Sequence, residues 1–203
     1  MRVFSAITAL LTVGIIAVRG ATWVAVPDVP PGEPQSLVSC VALAQPEDTI
    51  ILLSGMHQGP VEVSKSLCIR ADVPGEAIVW AFRQPMSVTS GTVILSDFVV
   101  LSEMDRAPEH FVLELAGAEA HLEGLVVACR GVMGTGLQIK DDSHVTLSRC
   151  DFTNSPLDHL IRLVSCPNNV IASDCTWPYA KTSVLARVIW DKDDDPALGQ
   201  VVY

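Results

Sequence analysis

From Gly136 to Trp177 the apolar positions of the chain follow one pattern and then repeat it. Val145-Thr146-Leu147-Ser148-Arg149-Cys150-Asp151-Phe152 matches Val170-Ile171-Ala172-Ser173-Asp174-Cys175-Thr176-Trp177 at four apolar columns: Val145 with Val170, Leu147 with Ala172, Cys150 with Cys175, and Phe152 with Trp177. One interval earlier Ala120, Leu122, Leu125 and Val127 fall into the same columns, and Val93, Leu95, Phe98 and Val100 precede them at a slightly longer interval. Within each segment apolar and polar residues alternate, and the phase slips once between the second and third columns. Alternation with period two is strand geometry. The extra residue is what a bend between two short strands requires. A repeat of roughly 20–30 residues that cannot bury its apolar face alone predicts a stacked solenoid. Each strand should then lie parallel to its counterpart, about 4.8 Å away in the next rung.

Neither the i, i+3, i+4 spacing of helical repeats nor a leucine-rich repeat pattern is present. The rung Gly136-Leu-Gln-Ile-Lys-Asp-Asp-Ser-His-Val-Thr-Leu-Ser-Arg-Cys-Asp-Phe-Thr-Asn-Ser155 and the leading segment Asp48-Thr-Ile-Ile-Leu-Leu-Ser-Gly-Met-His-Gln-Gly59 resemble the right-handed parallel β-helix, or pectin-lyase-like, superfamily. The expected fold is therefore all-β, a right-handed parallel β-helix of about six to seven rungs over residues 36–203. The architecture hosts lyases, hydrolases, adhesins and binding modules alike, so the resemblance says little about activity.

The same pattern organises the rest of the chain. Residues 21–35 carry Pro27, Pro30, Pro31 and Pro34 and read as an extended linker or leading strand. Leu37, Cys40, Val41 and Ala44 form one apolar stripe on a short helix introduced by Ser36. Placed before the first rung, this helix would lid the open, apolar end of the solenoid, whose unpaired edge otherwise recruits other chains. His57 and Gln58, between Gly55 and Gly59, read as turn residues, and the polar stretch from Glu103 to His110 reads as a protruding loop. The carboxy-terminal end carries no evident capping helix, so oligomerisation through that end is an expectation.

Residues 1–20 hold an early Arg2 and then an uncharged apolar run from Val3 to Val18. The run is shorter than a membrane span and is followed by small residues. It reads as a secretory signal cleaved after Gly20, with a membrane anchor as the alternative if it is retained. The expected location is secreted or extracytoplasmic, with no membrane span in the mature chain.

The formal charge of −10 argues against a nucleic-acid partner, because phosphates demand Lys and Arg. With 49% hydrophobic but only 5% aromatic residues, the core is aliphatic, as stacked strands prefer. Six cysteines in an exported chain invite a disulfide framework. Cys150 and Cys175, however, share one inward column, which favours a stack of reduced core thiols; their disulfide state stays open at this level.

Candidate chemistry is sparse. The outward positions are Ile94, His121, Thr146 and Ile171 on one strand, and Val99, Val126, Asp151 and Thr176 on the next. In β-helix polysaccharide enzymes, the resemblance implies, reacting groups project outward from one sheet on successive rungs. A hydrolase would need paired acids about 5–9 Å apart, a lyase carboxylates for calcium plus an Arg or Lys base. Neither ladder carries such a set. The catalytic candidates are Asp142 and His144, a carboxylate and imidazole in one turn with His144 stacked between Glu119 and Asn169, and Asp151 on the outward ladder. A conformational role in the turn is the competing reading. In the bend column Arg149 is expected to pair with Asp174. Asp191, Asp193 and Asp195 alternate like calcium-loop acids, but Pro196 stands where Gly belongs and Val202 where the bidentate Glu belongs. Gly131 to Gly136 does not open a helix and is no phosphate loop. No cofactor is expected.

The function expected is an exported, non-enzymatic module binding carbohydrate or a protein partner through its solenoid side. A pectin-lyase-like polysaccharide lyase or glycoside hydrolase is the first alternative. A purely structural or incomplete β-helix protein is the second.

Overall fold

The computed structural model describes residues 20–103, 111–130, 135–152, 159–164, 169–176, 188–190 and 200–202. A leading strand β1 (Thr22–Ala25) and the helix α1 (Leu37–Leu43) precede a chain that coils in short strands. The first turn comprises β2 (Asp48–Leu52), β3 (Gly55–Gln58) and β4 (Val61–Val63), and the second β5 (Leu67–Ala71), β6 (Ala77–Ala81) and β7 (Met86–Val88). Then follow β8 (Gly91–Ser96), β9 (Val99–Ser102) and β10 (Phe111–Ala116), and after them β11 (Ala118–Glu123), β12 (Val126–Cys129) and β13 (Thr135–Lys140). The coil goes on through β14 (His144–Ser148), β15 (His159–Val164), β16 (Asn169–Ser173), β17 (Val188–Trp190) and β18 (Gln200–Val202).

Successive turns stack into three parallel sheets. The first runs β1-β2-β5-β8-β11-β14-β16-β18, the second β4-β7-β10-β13-β15-β17, and the third β3-β6-β9-β12. Single bridges from Val126 to Asp151 and from Asp151 to Thr176 continue the third sheet. The result is a parallel β-solenoid of about 5 turns with one short helix. Because β1 pairs with β2 in register, Thr22 opposite Thr49, the leading-strand reading holds for this part of the proline-rich segment.

The apolar columns face inward as the alternation requires. Val93, Ala120, Val145 and Val170 are in lateral register, as are Leu95, Leu122, Leu147 and Ala172. Phe98, Leu125 and Cys150 are buried behind the bend, with Cys175 half-buried at the end of their column. Trp177, the last member of the fourth column, lies outside the described residues. Burying each large side chain of such a stack is worth about 1.5–3 kcal/mol. The stack therefore sets the register: a one-residue slip would turn the whole set outward.

The phase break is a left-handed residue. Asp97, Gly124, Arg149 and Asp174 have φ of 65°, 60°, 55° and 53°. Their amides still continue the ladder to the next rung, Asp97 to Glu123, Gly124 to Ser148 and Arg149 to Ser173 at 2.9, 2.9 and 3.1 Å. One residue in this region turns the chain by a corner without losing a rung-to-rung hydrogen bond.

Helix α1 closes the amino-terminal end. Ser36 Oγ accepts from the Ser39 amide at 3.2 Å, and Leu37, Cys40 and Val41 are buried against the first turn. Two local expectations are corrected. His57 is not a turn residue: it lies in β3, faces inward in register with Val79, and is 2% exposed. Arg149 pairs with Glu123 at 2.6 Å instead of Asp174, because the rung before it places a carboxylate beside the bend.

Candidate functional site

The outer face of the first sheet carries the sequence candidates. Glu119, His144 and Asn169 are lateral neighbours on β11, β14 and β16, as the column reading expected. His144 Nδ1 lies 3.0 Å from Asn169 Nδ2, and its Nε2 lies 3.9 Å from Asp142 Oδ1. Asp141 and Asp142 turn the chain with φ of 57° and 60°, while Ser143, fully buried, donates from Oγ to the Lys140 carbonyl at 2.6 Å. The Asp142–His144 contact is thus the surface of a tight corner. Asp151 is not brought to it: it follows the bend and bridges Val126 and Thr176 on the third sheet. Glu119 also faces His121 Nε2 at 3.6 Å and accepts from Thr92 Oγ1 at 3.3 Å. Glu119, His121, Asp142 and His144 are exposed, and among the described residues no group of three or more His, Cys, Asp or Glu side chains is placed to hold a metal. Asp191, Asp193 and Asp195 lie outside the described residues, as do residues 1–19 of the apolar leader.

The outer face of the third sheet is different in kind. Met56, Ile78, Val99 and Val126 stand in lateral register on β3, β6, β9 and β12, an apolar stripe across four turns. Beside it run Gln58, Trp80, Leu101 and Ala128. At the first two turns the stripe opens into a groove of about 640 Å³ where β3 and β6 bend into β4 and β7. Trp80 and Phe82 supply its aromatic surface, the latter 59% exposed. Gln58, Glu62, Arg83, Gln84 and Ser87 supply hydrogen-bonding groups. Gln84 Nε2 donates to Glu114 Oε2 at 3.3 Å, and Lys140 Nζ holds Glu114 Oε1 at 2.6 Å, so one polar wall is tied to the next turns. Trp80 Nε1 is buried without a hydrogen-bond partner. This concave mixture of aromatic surface and a few convergent polar groups is the composition of a ligand site. It offers a carboxylate, a guanidinium and amides, a set suited to binding.

The alternation rule passes over this site although it contains the signal. With Ala77, Val79 and Ala81 inward, the outward set is Ile78, Trp80 and Phe82. Two large apolar side chains on the solvent side of β6 and a third, Phe82, just past its end form an apolar surface patch in a chain with so few aromatics.

His57 Nε2 sits 2.8 Å from the Leu53 carbonyl, its Nδ1 has no partner, and burial pushes its pKa below the usual 6.5. Cys150 and Cys175 are free thiols, as are Cys40 and Cys68. The hydrogen bond between the first two, with burial, pushes the Cys150 thiol up, and the same bond pulls Cys175 down to about 7. Among the described residues no helix is long and apolar enough to cross a membrane.

No family model, curated protein or solved structure matches the chain.

Proposed function

We propose that the protein is an exported, non-enzymatic binding module of the right-handed, pectin-lyase-like β-helix type, and that it holds carbohydrate in the groove at Trp80 and Phe82. The observation that carries this reading is the groove itself: aromatic surface set among amide, carboxylate, guanidinium and hydroxyl groups. A sugar ring has one apolar C–H face and a rim of hydroxyls. The face packs on an aromatic ring, and the rim exchanges hydrogen bonds with Gln, Glu, Arg and Ser side chains. Strands hold Gln58, Glu62, Trp80 and Ser87 in place, and Phe82, Arg83 and Gln84 line the corner between β6 and β7.

The test is a glycan-array screen with and without calcium, followed by calorimetry on the best ligand and reading of released products from the same wells. Phe82→Ala should weaken the sugar by at least about tenfold, or about 1.4 kcal/mol, with an unchanged melting temperature. A ligand whose affinity ignores both Phe82→Ala and Arg83→Ala would overturn the groove assignment. Release of unsaturated or reducing sugars that is lost in Asp142→Asn or Asp151→Asn would favour the lyase or hydrolase reading instead. Saturable binding of a protein that is lost on Met56→Asp would favour a protein partner on the apolar stripe.

A further inference from the structure

Asp48 is a buried carboxylate surrounded by N–H donors. It is 4% exposed, yet it forms no ion pair with a side chain among the described residues. Its Oδ2 accepts from the Gln45 amide and from the Trp23 indole, both at 2.8 Å, and its Oδ1 accepts from the Ala21 amide at 2.6 Å. The amide of Gln45, the indole of Trp23 and the amide of Ala21 hold the carboxyl below its usual range, with a smaller contribution from Lys65. The Lys65 ammonium itself is occupied by the Ala42 and Ala44 carbonyls, at 3.2 and 2.6 Å. Asp48 thus ties together β1, the end of α1 and the start of β2, and the donor on its Oδ1 side is the backbone nitrogen of Ala21.

That nitrogen follows the bond at which the sequence places leader cleavage. Gly20 and Ala21 are exposed, whereas the Ala21 nitrogen points inward to the carboxylate. At Gly20 a Cβ would lie 1.9 Å from the Glu47 carbonyl oxygen and 3.0 Å from Asp48 Cα, so no side chain fits while the chain continues through this point. A small residue is also what a leader peptidase accepts before its cut. The described core begins at Ala25, downstream of this bond.

We infer that hydrolysis of the Gly20–Ala21 bond turns the Ala21 nitrogen into an α-ammonium group that remains on Asp48 and completes a buried ion pair, locking β1 as the closing strand of the solenoid. Water, activated by a separate leader peptidase, adds across the amide. Gly20 departs as the carboxylate end of the leader, and the Ala21 amine takes up a proton. A hydrogen bond from a neutral amide to the charged carboxylate becomes one between two full charges. The inference rests on the export reading of residues 1–20, and the experiment separates the two.

The full chain is produced in a secretory host, and the mature amino terminus is read by intact mass. A start at Ala21 supports processing here; a start elsewhere, or an uncut chain, overturns it. The pairing is tested on three forms that differ only at this end. One starts at Ala21, one retains Gly20 as its first residue, and one has Ala21 joined to a removable carrier ending in Gly-Gly. The Ala21 form should melt about 2–4 °C higher than the other two. The excess should vanish in Asp48→Asn, which keeps the shape and removes the charge. If Asp48→Asn does not fold, Trp23→Phe serves as the second variant. It removes one donor and should leave the excess in place. Equal melting of all three forms would overturn the ion pair even if processing occurs at Ala21.

Discussion

Replacing Gly124 by Ala tests the bend on which the rung depends. Gly124 sits at φ 60°, in the column whose other members are Asp97, Arg149 and Asp174. An L-residue in this region costs about 1–2 kcal/mol. Stiffening the unfolded chain returns about 0.4–1 kcal/mol. A Cβ at Gly124 would also meet Asp97 Oδ1 at 2.6 Å. That atom is the tip of a flexible carboxylate and can swing aside at about 0.5–1.5 kcal/mol if it leaves its preferred rotamer. The balance is a loss of about 1 kcal/mol, which for a chain of this size lowers the melting temperature by about 2–4 °C. Gly124→Asn should lose less, because a short polar side chain tolerates this conformation. The assay is urea unfolding followed by far-ultraviolet circular dichroism, with the denaturant slope checked for constancy. An Ala variant as stable as the parent, or more stable than the Asn variant, would refute a left-handed corner at this position.

Three further outcomes follow from the core and its buried groups. Leu122→Ala removes a side chain that is 1% exposed between Leu95 and Leu147; it should cost about 2–5 kcal/mol and raise hydrogen exchange in β8 and β14 along with β11, whereas exchange confined to β11 would contradict rung-to-rung coupling. His57 is held neutral by burial, so its folded pKa lies below the unfolded 6.5. Its stabilising share is present above pH 6.5 and is lost as pH falls below it, since the unfolded chain takes up the proton first. His57→Val, matching Val79 beside it, should therefore flatten the decline in urea midpoint between pH 7 and 5.5, and an unchanged decline would mean that the ring is not held neutral. Of the coupled thiols, Cys175 is half-buried with its pKa near 7 and Cys150 is buried with its pKa raised. Iodoacetamide at pH 7.5 should label Cys175 before Cys150; mass mapping with the opposite order would contradict a lowered Cys175 thiol beside a raised Cys150.

Several features were readable from residue order because each depends on near neighbours. The inward columns from Val93 to Ala172 stand as the alternation places them, and so do the outward pairs Ile94 with His121 and Val126 with Asp151. The helix over Leu37–Leu43 follows from one apolar stripe and one Ser cap. Around His57, Gly55 and Gly59 resemble turn punctuation. In the folded chain Gly55 instead begins a strand, and its φ of 128° with Pro27 Cβ at its back leaves no room for a side chain. Column order pairs Arg149 with its same-column neighbour Asp174, whereas the long guanidinium reaches diagonally to Glu123.

Sequence alone determined the period, the inward face and the bend, since these are set by sterics within a strand and by the need to bury alternate side chains. Only the tertiary structure decided which outward residues share a surface. Gln58, Trp80 and Gln84 meet because the first two turns differ in corner length yet stay in register, with Gln58 opposite Trp80. Asp48 likewise gains Ala21, Trp23 and Gln45 as partners only when β1 pairs with β2 and α1 folds over the end. Lateral neighbours in a solenoid are a whole turn apart along the chain, and their alignment is set by loops whose lengths carry no periodic signal. The core is therefore written locally, and the site exists only once the turns have stacked.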